Sequence, residues 1–192
     1  FTRRDITSDD YAVRYNYTPL NELIDFNLLA STSRGNQSYK PESLYNFNRS
    51  STTNKSNAVD LNNTSRFTLA EDLYAEFQVG GKVMDTRYSR RFVQSTETDR
   101  NAFAPAGKQK ISALYTGLTL NKDIYQLDLN LNYTRSQVEG HKPACADNEK
   151  CFPQGATTLR LDDKAFNPSA TLSAQVTPWL QPFVSWSHSS RA

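Results

Sequence analysis

The chain has 192 residues, with 22 basic against 20 acidic side chains and a net charge of +2, so it carries no strong field that would select nucleic acid as a partner. Hydrophobic residues make up 37% with tyrosine included, below the roughly 45–50% apolar content of ordinary soluble domains, so either the core is thin or half of each element faces water. No apolar run approaches the ~18 residues that a membrane helix needs, and the first ten residues have neither the charged start nor the apolar centre of a signal peptide; strands are the route by which this sequence could meet a membrane.

Strict alternation sets in at once. In "YAVRYNYT" Tyr11, Val13, Tyr15 and Tyr17 share one face of an extended chain, opposite Ala12, Arg14, Asn16 and Thr18. "NELIDFNLLA" sets Ile24, Phe26, Leu28 and Ala30 against Asp25, Asn27 and Leu29. "AVDLNNTSRFTL" sets Val59, Leu61, Phe67 and Leu69 against Asp60, Asn62, Thr64 and Arg66, and "LYAEFQVGGKV" sets Leu73, Ala75, Phe77, Val79 and Val83 against Glu76, Gln78 and Lys82. "KISALYTGLTL" is less clean, with Ile111, Ala113 and Tyr115 on one face but Leu114, Leu118 and Leu120 on the other. It is followed by "IYQLDLNLNYTR", then by "NPSATLSAQV" and "LQPFVSWSHS", where Leu180, Val184 and Trp186 share a face. The pattern predicts eight strands in four hairpins, in a chain that reads as a slice of something longer.

The connections separate the possible architectures. Tight turns are expected at 18–22, 69–72, 121–123 and 177–180, while the links at roughly 34–53, 90–108 and 138–163 are long and polar. Short and long connections therefore alternate, which a soluble β-sandwich has no reason to do and an outer-membrane barrel does. The stretch "YQLDLNLNY" supplies a length. Eight steps of ~3.3 Å from Tyr125 to Tyr133 make about 26 Å, and a tilt of ~40° reduces this to roughly 20 Å along the membrane normal, near the ~25 Å apolar band of such barrels. A tyrosine at each end suits the interfacial aromatic girdles. Leu127, Leu129 and Leu131 are then expected to face lipid, and Asp128, Asn130 and Asn132 a wet or plug-filled lumen. The competing reading is a two-sheet soluble sandwich with these leucines in its core.

The segment "NPSATLSAQVTPWLQPFVSWSHSSRA" resembles the late-middle barrel of TonB-dependent outer-membrane receptors, in which a similar strand turns tightly into an aromatic strand ending in a Phe-Arg-Ala-Pro type of motif. Ser190, Arg191 and Ala192 stand at its first three positions, with Ser in place of Phe. The opening "TRRDITSDDYAVRYNYTPLNELIDFNLLAS" is similar to the haem, haemoglobin and transferrin receptor branch, and the whole to its haemophore (HasR-type) receptors. The resemblance implies an all-β fold: eight consecutive meander strands of a 22-stranded transmembrane barrel, with residues 1–192 a partial barrel domain that lacks the plug and both barrel ends. It further implies a bacterial outer-membrane location and TonB-energised uptake of haem from a haem-carrying protein, a haemophore or haemoglobin. Haem would be the transported ligand and not an intrinsic cofactor, TonB would act through the missing plug, and lipid would surround the wall. The alternatives are a siderophore-iron receptor of the same family, or a small self-contained barrel with a structural or adhesive role.

Several residues are candidates for contact. His141 in "EGHKPACADNEKC" is expected on a long external loop, where a neutral imidazole is a standard haem-iron ligand; a solvated loop histidine is the alternative. Lys142 beside it, Tyr39, Tyr45 and Phe47 in "SYKPESLYNFNRS", and Phe103 in "RNAFAPAGK" suit contact with a carrier protein. Cys145 and Cys151 lie six apart in a polar stretch and are expected to form a local disulfide in an oxidising compartment; zinc would need more ligands than His141. No phosphate-binding glycine loop, histidine pair at metal spacing or Ser/His/Asp grouping appears, so neither a catalytic nor a metal site is assigned.

Overall fold

A computed structural model describes residues 2–41, 50–92, 106–142, 144 and 155–190. These form one eight-stranded sheet in which each strand pairs with its neighbours in sequence. The strands are β1 (Thr2–Tyr17), β2 (Phe26–Pro41), β3 (Ser50–Ala70), β4 (Leu73–Phe92), β5 (Ala106–Lys122), β6 (Tyr125–Lys142), β7 (Thr157–Ala174) and β8 (Phe183–Ser187). All seven pairings are antiparallel.

Two of the short turns consist of two residues and share a device. Glu71-Asp72 joins β3 to β4 and Asp123-Ile124 joins β5 to β6, with Asp72 at φ 62° and Asp123 at φ 52°. Left-handed backbone costs aspartate less than most residues because its short side chain bonds locally. The expected turn at 18–22 is longer: Ile24 lies outside the strands, and the chain from Thr18 to Asp25 is held by side chains. Asn21 Oδ1 accepts from the backbone N–H groups of Leu23 and Ile24, and Asn63 Oδ1 accepts from that of Asp25. At the other end the strands run on beyond the alternating segments, so the links span 42–49, 93–105 and 143–156 and are shorter than the sequence suggests. Where both faces of a ladder are wet, pairing continues but the apolar period disappears, and the sequence gives no sign of it.

Register fixes which side chains share a face. The row Leu61, Gly81, Leu114, Tyr133, Phe166 crosses β3 to β7, and three rows below it lies Ala75, Leu120, Leu127, Leu172, Val184 on β4 to β8. All the leucines of β5 therefore belong to the apolar face, and Tyr115 is turned the other way, which resolves the ambiguous strand. Opposite stand Asp60, Asn62, Glu76, Gln78, Asp128 and Asn130.

Nothing covers the apolar face among the described residues. Leu129 is 38% exposed, Leu131 43%, Leu172 46% and Trp186 61%, while the buried apolar residues are the small Ala75 and Ala165. The accessible surface, 13813 Å², is about half as large again as the roughly 9,200 Å² of a compact monomer of this mass. A sandwich would have buried its leucines between two sheets; this single layer excludes that alternative.

The apolar band is oblique to the rows. Its outer edge is Tyr11 on β1, in one row with Thr32, Asn57, Asp85, Lys110 and Gln137, whereas on β6 it is Tyr133, two rows lower. Two rows are ~14 Å and five strand spacings are ~24 Å, so the strands are inclined by about 30° to the normal of the band. That is close to the ~35–45° of transmembrane barrels.

Candidate functional site

The polar face carries a layered set of hydrogen bonds. At its middle, the ring of Tyr115 on β5 lies over Gly80 on β4 and its hydroxyl donates to Asp60 Oδ1 on β3 at 2.8 Å. The missing side chain at Gly80 is what lets the ring cross: a Cβ there would stand 2.5 Å from Tyr115 Cε2 and Oη. Arg14, Asn16, Asn27, Asn62, Asp60 and Tyr115 border one polar hollow. Nearer the short turns, Asp128 accepts from Thr119 Oγ1 at 2.7 Å and Gln126 Nε2 at 2.8 Å. Beside them Arg66 joins Asp25 Oδ2 at 3.2 Å and Glu76 Oε2 at 3.1 Å. Such a face offers donors and acceptors to water, to a passing polar solute or to a protein segment in the lumen.

The end with the long links is strongly charged on the outward face. Glu139 on β6 is shared between Lys108 Nζ and Arg160 Nε, each at 3.2 Å. Arg87 meets Asp85 at 3.2 Å. Arg135 grips Asp162 with two nitrogens, Nε to Oδ1 at 2.8 Å and Nη2 to Oδ2. This pair lies beyond the Tyr133–Phe166 row, outside the apolar band, and the Arg135 hydrogen bond above all holds the Asp162 carboxyl down to about 2. The carboxylate is thus ionised at any physiological pH.

The candidate residues are only partly brought together. His141 stands in β6 and not in a loop: its partner across the ladder is Thr158 of β7, whose hydroxyl is 3.2 Å from Nδ1. Its register puts it on the outward face, in line with Glu139 and Tyr133. Lys142, the last residue of β6, donates to the Gly155 carbonyl at 3.4 Å. Tyr39 belongs to β2, where it pairs with Arg4 and Ser50. Ser190 follows β8 and is tied to Asn167 Oδ1 through its backbone N–H at 2.7 Å. Tyr45, Phe47, Phe103, Cys145, Cys151, Arg191 and Ala192 lie outside the described residues. Among the described residues no group of three His, Cys, Asp or Glu side chains could hold a metal ion.

Two features escaped the sequence reading. Tyr115 was assigned no role, although the Gly80-Gly81 pair in the middle of a strand is a signal of close approach. The outward charges from Arg135 to Arg160 were overlooked because they begin where alternation ends; extending the strand parity past Tyr133 would have placed them.

An antiparallel meander that is polar on one face and uncovered and apolar on the other, with short turns at one end, is the wall of a transmembrane β-barrel. The sequence matches the family described as TonB dependent receptor-like, beta-barrel, over residues 1–192, and the chain belongs to that family. A probable TonB-dependent receptor of Haemophilus influenzae is 25% identical, over 98% of this chain and 24% of that protein. The fold is similar to that of the Serratia marcescens hemophore receptor HasR, solved with its hemophore HasA and heme, at a TM-score of 0.75 and 16% identity over 97% of this chain and 30% of HasR. It is similar as well to the ferric-catecholate import receptor Fiu of E. coli K12, at 0.73 and 13% over 98% of this chain and 36% of Fiu. The ferric citrate transporter FecA gives 0.62 and 12% over 92% of this chain and 26% of FecA. The chain spans about a quarter of the length of the curated relative it matches.

Proposed function

We propose that the chain is part of the barrel wall of an outer-membrane receptor that takes up haem presented by a haem-carrying protein, driven by the TonB complex through a plug that the wall encloses. The observation that carries the membrane role is the division of one sheet into an uncovered apolar face and a hydrogen-bonded polar face. The apolar side offers no protein core, and lipid satisfies it without a second layer. Haem as cargo rests on the sequence likeness of the opening segment around Tyr11 to the haem branch and of the whole to its haemophore receptors, with the fold likeness to HasR consistent with it. On this reading the ends of β6 and β7, with His141 and Lys142, and the link between them belong to the surface that a haemophore or haemoglobin meets. The Cys145–Cys151 disulfide would stiffen that link. A direct axial role for His141 requires haem to be held at the outward rim of β6, and His141→Ala would then change the absorption spectrum of bound haem.

The second reading, a siderophore-iron receptor, is favoured by the fold likeness to Fiu, whose TM-score of 0.73 is close to that of HasR. One experiment separates the two. The full-length receptor is titrated with haem, with a haem-loaded haemophore and with a ferric catecholate, and a strain relying on it is grown on each as sole iron source. Tight haem binding and growth on haem are expected; catecholate binding and growth without either haem response would replace the first reading by the second.

A further inference from the structure

Gly107 on β5 and Gly140 on β6 face one another across the ladder, on the lumen side by parity with Tyr115 and Asn132. The sheet itself does not call for glycine at either place. Neither has a positive φ. Among the described residues an added Cβ would meet nothing nearer than the Glu139 carbonyl oxygen at 3.4 Å from Gly107, and the Ala106 carbonyl oxygen at 4.0 Å from Gly140. Both are ordinary contact distances, unlike the one at Gly80. Glycine inside a strand weakens it, and a bare spot that packing does not require marks close approach by something else. Gly35 also has open space, but it stands between Ser8 and Asn54 and interrupts no apolar surface.

Around the glycine pair the lumen face turns more apolar than it is at Asp60 or Asp128. The same row ends in Tyr88 on β4 and Leu159 on β7, 43% and 58% exposed, and the next two rows toward the membrane add Val138, Leu161 and Ile111. The strands of Tyr88 and Leu159 are three spacings apart, about 14 Å. The row lies seven residues beyond Leu114 and Tyr133, about 23 Å along the strands, in the part of the wall that stands clear of the membrane. Lys142, two residues past Gly140 on the same face, puts an ammonium at the outer end, 3.4 Å from the Gly155 carbonyl.

We propose that this slot receives the flat face of haem, its ring on the two glycines between Tyr88 and Leu159 and its carboxylate edge toward Lys142. That the occupant is haem rests on the function proposed above. A floor two strands wide without side chains admits a planar molecule to the backbone, whereas a globular one is stopped by the walls. Tyr88 and Leu159 cover two edges of the ring with apolar surface, Val138 and Ile111 lie toward its apolar edge, and the ammonium meets its propionates. Haem has this order of apolar plane and acidic edge; a ferric catecholate, anionic and without an apolar plane, does not. His141 stands on the opposite face, so β6 grips the ring here without offering it an imidazole.

The test titrates haem into the full-length receptor, with absorption and tryptophan quenching as readouts. Gly107→Val with Gly140→Val fills the floor and is expected to lower haem affinity by about tenfold to a hundredfold. The same double variant should resist denaturant better than wild type, because the space is open and valine suits a strand. A purely structural role for the glycines would move stability down together with binding. Leu159→Ala should lose about tenfold, and it carries the prediction if the valines disturb assembly. Lys142→Gln should weaken binding of haem but not of haem dimethyl ester, whose carboxylates are masked. Gly35→Val should bind as wild type. Wild-type haem affinity in the double valine and Leu159→Ala variants overturns the slot and leaves haem as cargo. Absence of haem binding by the wild type, with a ferric catecholate bound instead, overturns both. Equal losses for haem and its ester in Lys142→Gln would overturn the orientation of the ring.

Discussion

Gly80 is where a single methyl group should have the largest effect on the polar face. In Gly80→Ala the new Cβ would lie 2.5 Å from Tyr115 Cε2 and Oη, about 1 Å inside ordinary contact. The obstructing atoms are the far end of a side chain, so the ring swings aside and the strands stay paired. The cost is then the hydrogen bond from Tyr115 to Asp60, ~1.5–3 kcal/mol for a bond to a charged group. Replacing a strand glycine by alanine returns ~0.5–1 kcal/mol. The net expectation is a loss of about 1–2 kcal/mol, toward the low end because water in the lumen can solvate Asp60. In a Tyr115→Ala background the clash and the hydrogen bond are both gone, and the same Gly80→Ala change should stabilise by ~0.5–1 kcal/mol. Tyr115→Phe, which keeps the ring, should lose the bond without relieving the clash. Denaturant unfolding of the full-length barrel in bilayers, followed by tryptophan fluorescence, measures all four. The reasoning is refuted if Gly80→Ala shifts stability with the same sign and size in both backgrounds.

The two faces should respond oppositely to charge: Leu129→Arg on the apolar side is expected to cost ~2–4 kcal/mol, and Asn130→Arg beside it under about 1 kcal/mol, by the same unfolding assay. Equal costs would remove the lipid assignment. Maleimide should label neither Cys145 nor Cys151 in the isolated receptor until a reductant is added, and labelling of the untreated protein would reject the disulfide. Residues 1–192 expressed alone without detergent should aggregate, since β1 and β8 each have one partner strand among the described residues and the apolar face is uncovered. A monodisperse, cooperatively unfolding monomer in light scattering and denaturation would contradict this.

Alternation made most of the architecture legible. The apolar faces of β1, β2, β3, β4 and β6 follow the parity read from the sequence, because a side chain between lipid and lumen is selected for one or the other at every step. β5 was ambiguous for a physical reason: Tyr115 is large and aromatic, yet a hydroxyl bonded to Asp60 belongs on the polar side, and only the glycine on the neighbouring strand makes room for it. Ile24 was read into a strand because its parity fits Phe26, whereas Asn21 and Asn63 hold that stretch in a bonded turn, and the bond from Asp25 N–H to Asn63 Oδ1 joins residues 38 apart, which no local pattern contains. His141 was read as a loop residue for the opposite reason, since its strand continues where both faces are wet and nothing apolar marks it. Fold was therefore readable wherever lipid imposed a pattern; the charged and aromatic contacts beyond it depended on partners from other strands.

The sequential order of the sheet has a consequence for how such walls vary. Among the described residues every strand is laddered only to its predecessor and successor, with Tyr115 reaching across β4 to Asp60, and apart from one irregularity between Thr68 and Ala70 the pairings run one residue to one. A whole hairpin could be removed or duplicated without disturbing the remaining ladders, provided that outward parity is matched across the new seam. β4 and β7 satisfy this already, since both present outward side chains to the same rows through β5 and β6. Circumference is then an adjustable quantity, changed in steps of two strands, while the internal ladder of each remaining hairpin is carried over intact.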